Sequence, residues 1–256
     1  MLHTFTTLMT DFGLPQLGLV WLVVIFAAVM RAFTGFGFAL AAVPAFTLLM
    51  SPIESVVLSI MLTLAVSLFT LKTFLGQFPI RPMLPMVSFA LLGTLIGTVV
   101  LGMLDATSFQ LWIGLAIIAA CLLLSFYRPS FVEPRADVSR AVGLASGLLN
   151  GVFGVPGPPV VVYAVATQPS AEKARALLMT FFLFSAGFGF VSHASAGHVG
   201  IFSLWLFALS FPAMYLGDKV GYLLFKRYGT RLYRQVALAV LFAVGFAITA
   251  RALLVA

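Results

Sequence analysis

The sequence predicts an all-α integral membrane protein built as an inverted repeat of two halves. Each half holds one broken or re-entrant helix pair plus three transmembrane helices. Three observations predict this. Of 256 residues, 62% are hydrophobic and 8% are charged, against roughly 25% charged in a soluble domain. Eight apolar segments recur, at 18–50, 53–71, 83–104, 109–127, 141–167, 176–192, 201–217 and 235–255. Two of them, the first and the fifth, each contain a Gly/Pro-rich stretch.

Six segments run 17 to 22 residues, enough to cross a ~30 Å hydrocarbon core at ~1.5 Å per residue. The first runs 33 residues, some ~50 Å as one helix. It contains TGFGFALAAVP, Thr34 to Pro44, and the fifth contains NGVFGVPGPPVVVY, Asn150 to Tyr163. Glycine and proline interrupt helices, and an interrupted helix in a bilayer is tolerated only where its backbone is buried in protein or lines a cavity. Each long segment therefore reads as two short half-helices with a turn between them. A re-entrant hairpin and two short crossings both satisfy the pattern. A purely structural kink is the bland alternative, since both residues are common in membrane helices.

The halves also match in order. Aligning Gly35 with Gly154 sets an offset of 119, which pairs Arg31 with Asn150 and Pro44 with Tyr163. GQFPI (Gly76 to Ile80) resembles GHVGI (Gly197 to Ile201), and Gly97 and Gly217 fall in the third ordinary helix of each half. The expected organisation is 1–127 as the first membrane repeat, 128–140 as a cytoplasmic linker and 141–256 as the second repeat.

Charge assigns the sides. Lys72 and Arg81, then Arg128, Arg135 and Arg140, then Lys173 and Arg175, then Lys219, Lys226, Arg227, Arg231 and Arg234 mark four basic connections. The connections at 50–55, 105–108 and 193–200 carry no Lys or Arg. Placing the basic ones in the cytoplasm makes the first segment start and end outside, and the fifth start and end inside. Arg251, near the C-terminus, is the one misfit. Three single crossings per half turn the second half upside down. The same rule explains the net charge of +7 without nucleic acid. No Lys or Arg precedes Arg31, so the basic start of a signal peptide is missing and the first segment is expected to be retained. The lone Cys121 excludes an internal disulfide and reads as a small apolar core residue.

In this geometry the second half-helix of each pair begins deep in the membrane. Its free N–H groups carry about half an elementary charge, which favours an anion. Gly154, Gly157, Pro158 and Pro159 suit a helix start. The carbonyl end of the preceding half-helix attracts cations, so the breaks alone do not choose the sign. Side chains help. Asp11, Glu54, Asp105, Glu133, Asp137, Glu172 and Asp218 all fall near segment ends or in loops, so no intramembrane carboxylate is apparent for a proton or metal cation. Arg31 lies just before the first break and needs a partner. An anionic substrate is one; backbone carbonyls or the cytoplasmic interface are the alternatives. The candidate substrate-binding residues are Arg31, Gly35, Phe36, Gly37, Asn150, Gly151, Gly154, Gly157, Pro158, Pro159 and Tyr163. Gly93 and Gly97 form a small-xxx-small pattern suited to helix packing. His193 and His198 sit at an outer loop, where a pH response or an ordinary interfacial role both fit. Ser59, Thr63, Thr180 and Ser185 offer polar lining or bonds within their own helices.

GFGFALAAVP and GLLNGVFGVPGPPVVVY resemble the paired glycine-rich signatures of the sulfite exporter family of the TauE/SafE type. The segment spacing is similar over essentially the whole chain. The resemblance covers Gly35, Gly37 and Pro44 in one half. In the other it covers Asn150, Gly151, Gly154, Gly157, Pro158, Pro159 and Tyr163. Phe38 and Ala39 stand where many members continue the glycine run, and Pro156 and Pro158 where others have glycine. What the resemblance implies is a multi-pass transporter of the cell inner (plasma) membrane for sulfite, organosulfonates or related carboxylates. The expected mode is export by alternating access, with an anion channel or an importer as alternatives. An enzyme is not expected, because no catalytic His/Asp/Glu or Ser/His constellation is spaced for one. The expected partners are the small anion and the lipid bilayer, with no nucleic acid, metal or cofactor; a homo-oligomer is compatible with the sequence.

Overall fold

The computed structural model describes residues 13–34, 37–74, 76, 79–126, 131–228, 246 and 249. Among these, all regular structure is helical. In chain order the helices are α1 (Leu14–Thr34), α2 (Phe38–Phe46), α3 (Pro52–Phe69), the short α4 (Leu71–Phe74), α5 (Leu84–Met103), α6 (Ala106–Phe126), α7 (Ala136–Phe153), α8 (Gly157–Thr167), α9 (Ala171–Ser195) and α10 (Ile201–Tyr228). A 3₁₀ turn, Arg81–Met83, leads into α5. Six helical stretches are long and apolar enough to cross a membrane, at Pro15–Ala32, Pro52–Phe69, Arg81–Met103, Ala106–Leu123, Glu172–Ser195 and Ile201–Leu224. The last apolar segment, with Arg231, Arg234 and Arg251, lies outside the described residues apart from Phe246 and Thr249.

Local chemistry sets the boundaries. Ser51 accepts from the Glu54 N–H at 3.3 Å, while the Glu54 carboxylate accepts from the Ser51 N–H at 3.0 Å. This reciprocal cap, with Pro52 in the first turn, starts α3. Ser170 caps α9 by accepting from the Lys173 N–H at 3.3 Å. Both breaks fall where expected, but the helices before them are long. α1 has 21 residues and α7 has 18, because no proline falls within 16–34 or 136–153. Each interrupted segment is thus one long helix followed by a short one, of 9 residues in α2 and 11 in α8.

Two helix pairs are packed closely through glycine. On α5 and α7, Met86 meets Gly143, Ala90 meets Gly147 and Thr94 meets Gly151. Both chains advance four residues per contact, so the pair runs parallel. A Cβ on Gly97 would lie 2.5 Å from the Leu148 carbonyl oxygen and 2.9 Å from the Gly151 Cα. In a bilayer, such small-residue seams let backbones approach and gain dispersion energy that lipid cannot supply. α1 and α10 form the second pair. The Trp21 Nε1–H donates to the Leu209 carbonyl at 3.0 Å, Ile25 and Ala28 meet Gly217, and Val29 and Ala32 meet Gly221. This pair also runs parallel. The short helices ride on these frames: α2 touches α1, α3 and α6, and α8 touches α7, α9 and α6. α9 packs on both α3 and α5, and α10 on α3.

Candidate functional site at the interrupted helices

The first break ends at Gly37, which sits in the left-handed region at φ 99. Only glycine adopts that conformation freely. Gly35 and Phe36, both candidate site residues, lie outside the described residues. The Ala41 N–H bonds the Gly37 carbonyl at 3.2 Å, so the N–H groups of Phe38, Ala39 and Leu40 precede the first helical bond of α2. Gly37 supplies no side-chain cap, and among the described residues no group accepts from these three. All three residues are buried. The start of α2 is therefore a set of buried donors with partial positive charge. Pro44 lies inside α2 and leaves the Leu40 carbonyl without its helical donor. The end of α2 is tied down instead: the Thr47 hydroxyl donates to the Pro44 carbonyl at 2.7 Å, and Gln110 on α6 donates to the Thr47 carbonyl at 3.1 Å.

The second break turns at Gly154, at φ 67. Its N–H bonds the Asn150 carbonyl at 2.8 Å, and the Val155 N–H bonds the Leu149 carbonyl at 3.2 Å. The Gly151 and Val152 carbonyls at the end of α7 then lack their usual helical donors, since Val155 is engaged elsewhere and Pro156 has no N–H. α8 begins at Gly157 with Pro158 and Pro159 in its first turn. The prolines fit a helix start but remove two donors, leaving Gly157 and Val160. Val152, Phe153 and Val155 share one buried cluster with Phe38 to Val43. Both breaks thus adjoin the same core, and α6 contributes Phe109, whose ring lies 5.3 Å from that of Phe153.

A buried polar network flanks the second break. Asn150, 1% exposed, donates to the Ser185 carbonyl at 2.9 Å and to the Thr94 hydroxyl at 3.3 Å. Both of its amide hydrogens are engaged, linking α7 to α9 and α5. Thr94 donates to the Ala90 carbonyl and Thr98 to the Thr94 carbonyl, and Thr98 accepts from Ser192 at 2.8 Å. The Ser59, Ser146 and Ser185 hydroxyls and the His193 Nε2 are buried without a hydrogen-bond partner. Thr180 bonds its own helix, at the Ala176 carbonyl.

Arg31, in the last turn of α1, forms an ion pair with Asp218 of α10 at 3.1 Å; the two side chains are 11% and 28% exposed. The Arg175 guanidinium also acts on Arg31, as a repelling charge. The sequence placed Asp218 at a segment end. In the structure α10 continues to Tyr228, so Asp218 lies inside a long helix and is the partner Arg31 needs. Two cations and one acid leave this corner net positive.

The structure gathers Asn150 and Gly151 with Thr94, Thr98 and Ser192, while Gly154 faces Val56 and Ile60 of α3. It does not bring Tyr163 there: Tyr163 lies in a separate cluster with Val160, Leu177 and Phe181. Arg31 and Asn150 have separate partners. His193, expected at an outer loop, is 1% exposed within α9. Thr94, Thr98, Ser192 and Asp218 were not singled out. The available signal was the Thr94/Thr98 spacing one residue beyond the Gly93/Gly97 seam.

Helices long enough to span, with two interruptions packed into one core, define a multi-pass membrane protein. The model of the family described as Sulfite exporter TauE/SafE matches residues 20–248. The chain belongs to this family of membrane transporters. A similar protein is the "Probable membrane transporter protein YunE" of Bacillus subtilis (strain 168), 26% identical over 180 residues, covering 60% of this chain and 64% of that one. The chain thus spans under two thirds of the length of that relative. No solved structure matches.

Proposed function

We propose that this protein is a secondary transporter that exports a small anion across the cytoplasmic membrane by alternating access. Sulfite, an organosulfonate or a related carboxylate is the cargo class. The observation that carries this reading is the start of α2, where three buried N–H groups face no protein acceptor among the described residues. A buried donor without a partner costs about 1–3 kcal/mol, and a transient anion there offsets that cost. The proposed site runs from Arg31 and the residues around Gly35, Phe36 and Gly37 to Asn150, Gly151, Gly154, Gly157, Pro158 and Pro159, with Tyr163 more remote.

The net positive Arg31–Arg175–Asp218 corner suits collection of an anion from the side that charge assigns to the cytoplasm. Export then follows the voltage, at about 2.3 kcal/mol per exported charge per 100 mV. The two parallel pairs support an inverted repeat. α1 on α10 and α7 on α5 exchange if residues 1–127 and 141–256 are related by a two-fold axis in the membrane plane.

The test is flux of labelled sulfite, sulfoacetate and acetate in proteoliposomes. Protein-dependent efflux of one of them is expected, at carrier rates. Flux of none removes the reading, and flux at channel rates replaces the carrier with a channel.

A further inference from the structure

The His193 and His198 rings face each other across the end of α9. Their Nδ1 atoms are 3.0 Å apart and their ring centroids 5.3 Å apart. At this distance one Nδ1 must carry a proton and the other a lone pair, because two protons would clash and two lone pairs would repel. His193 is 1% exposed, and its other nitrogen, Nε2, is buried without a hydrogen-bond partner. The Gly151 carbonyl, in the last turn of α7, is the backbone group that acts on this ring, without a formed hydrogen bond to Nε2. That carbonyl belongs to the end of α7 at the second break, where the helical donor from Val155 is engaged elsewhere. His198 is only half-buried, in the turn before α10, and burial holds its imidazole below the usual range. The pair therefore connects a less buried ring to a carbonyl beside the second break.

We propose that His193 and His198 bind one proton between them and relay it to the carbonyl end of α7, so that proton movement and anion movement are coupled at the second break. The proton count is simple. In the neutral pair with His198 donating through Nδ1–H, His193 carries its proton on Nε2. One added proton enters at the Nε2 of the less buried His198 and makes it an imidazolium. Transfer of the shared Nδ1 proton to His193 then leaves His198 neutral with its Nε2–H retained, and His193 releases its own Nε2 proton at the carbonyl end of α7 and keeps Nδ1–H. No bond other than N–H is made or broken.

Other charges do not compete. α5 carries no titratable side chain. Asp137 and Arg140 on α7, and Glu172, Lys173 and Arg175 on α9, lie in the first turns of those helices, at the ends away from Gly151 and His193. Lys72 is on the short α4, and α8 offers only Tyr163. Glu54 on α3 is held by Ser51. Among titratable groups, only His198 acts on His193.

The relay rests on the transport reading for its purpose but not for its detection. The full-length protein, labelled with ¹⁵N-histidine in liposomes, is titrated by solid-state NMR, with signals assigned from His193→Gln and His198→Gln. The expected result is one shared titration step for the two rings. His198→Gln, at the less buried position, should move the His193 step by about one pH unit or more, a tenfold change in proton affinity. Independent titration of the rings, unchanged by either substitution, overturns the relay whatever is transported. In parallel, proteoliposomes loaded with methanesulfonate, which does not titrate in this range, report lumenal pH by a dye. Proton movement per anion should fall at least tenfold in His198→Gln while anion flux persists. An unchanged ratio overturns the coupling. Absence of any anion flux counts against the transport reading alone, because the shared titration is measured without substrate.

Discussion

Substituting Gly97 by alanine tests the α5–α7 seam directly. The new Cβ would lie 2.5 Å from the Leu148 carbonyl oxygen and 2.9 Å from both the Gly151 Cα and the Val152 nitrogen. All three are backbone atoms, so no side chain can swing aside. Restoring ordinary contact requires the helices to part by roughly 1 Å over at least one turn. Overpacking of this kind costs about 1–3 kcal/mol, and the adjacent Ser192–Thr98 hydrogen bond at 2.8 Å adds about 1 kcal/mol if it breaks. The expected loss is about 2–3 kcal/mol by the same overpacking scale, a fall in Tm on the order of 5–10 °C for a chain of this size. The assay is thermal unfolding in detergent beside Gly187→Ala, a helical glycine whose Cβ would meet nothing within 4 Å. That control should match wild type or gain slightly, as alanine favours helix. Equal Tm values for the two variants would refute the close-approach reading.

Asp218→Asn should leave Arg31 without its countercharge, and a double-mutant cycle with Arg31→Gln should give a coupling of about 1–3 kcal/mol by thermal unfolding. Additive effects would show that the pair stands open. At the start of α6, Asp105 is fully exposed and accepts from the Thr107 and Ser108 N–H groups at 3.0 and 3.1 Å. Hydrogen bonding from Ser108, side chain first, holds its carboxyl below the usual range. A folded pKa lowered in this way gives stability that is present above the unfolded carboxyl's range and lost as pH falls through the folded one. Asp105→Asn should therefore flatten the acid limb of Tm against pH, and an unchanged limb would remove Asp105 as its source. Single cysteines at 51 and 170, both exposed positions, should label from opposite sides of sealed vesicles while Cys121, which is buried, stays silent; labelling from one side would break the inverted repeat.

The parts of the fold that sequence revealed are those fixed by backbone chemistry. Gly37 and Gly154 mark the breaks because each takes a positive φ, and Pro158 marks the start of α8 because proline suits a first turn. The length of α1 was less legible. Its first turn, with Pro15 and Gln16, is too polar to extend an apolar run, yet Pro15 is well placed near a helix start. Asp218 was misplaced for a related reason. Charge was used to end a segment, whereas a charge paired with Arg31 costs little inside one. The Gly93/Gly97 seam was legible as a packing motif, but its partner on α7 was not, since nothing in the spacing of Gly143, Gly147 and Gly151 names the helix they meet. The Asn150–Thr94 bond spans 56 residues, and the network beside the second break is likewise a product of that tertiary contact.

The two breaks are unequal as anion sites, and that inequality is testable. At the first, Phe38, Ala39 and Leu40 all offer N–H groups, and α1 ends there with Arg31 in its last turn. At the second, Pro158 and Pro159 leave only Gly157 and Val160 in the first turn of α8, and the neighbouring carbonyls of α7 lack helical donors. A helix terminus holds an anion through its free donors and its dipole together, so an anion shared by the two breaks should sit nearer α2. Pro158→Ala restores one donor to α8 without adding bulk. If the anion lies against α2, the KM for sulfite in proteoliposomes should change less than about twofold, because the new donor faces no charge. If the anion lies against α8, one further hydrogen bond to a charged group is worth about 1.5–3 kcal/mol, and KM should fall by about tenfold or more. A tenfold fall would therefore move the site from the first break to the second, and with it the role given to Arg31.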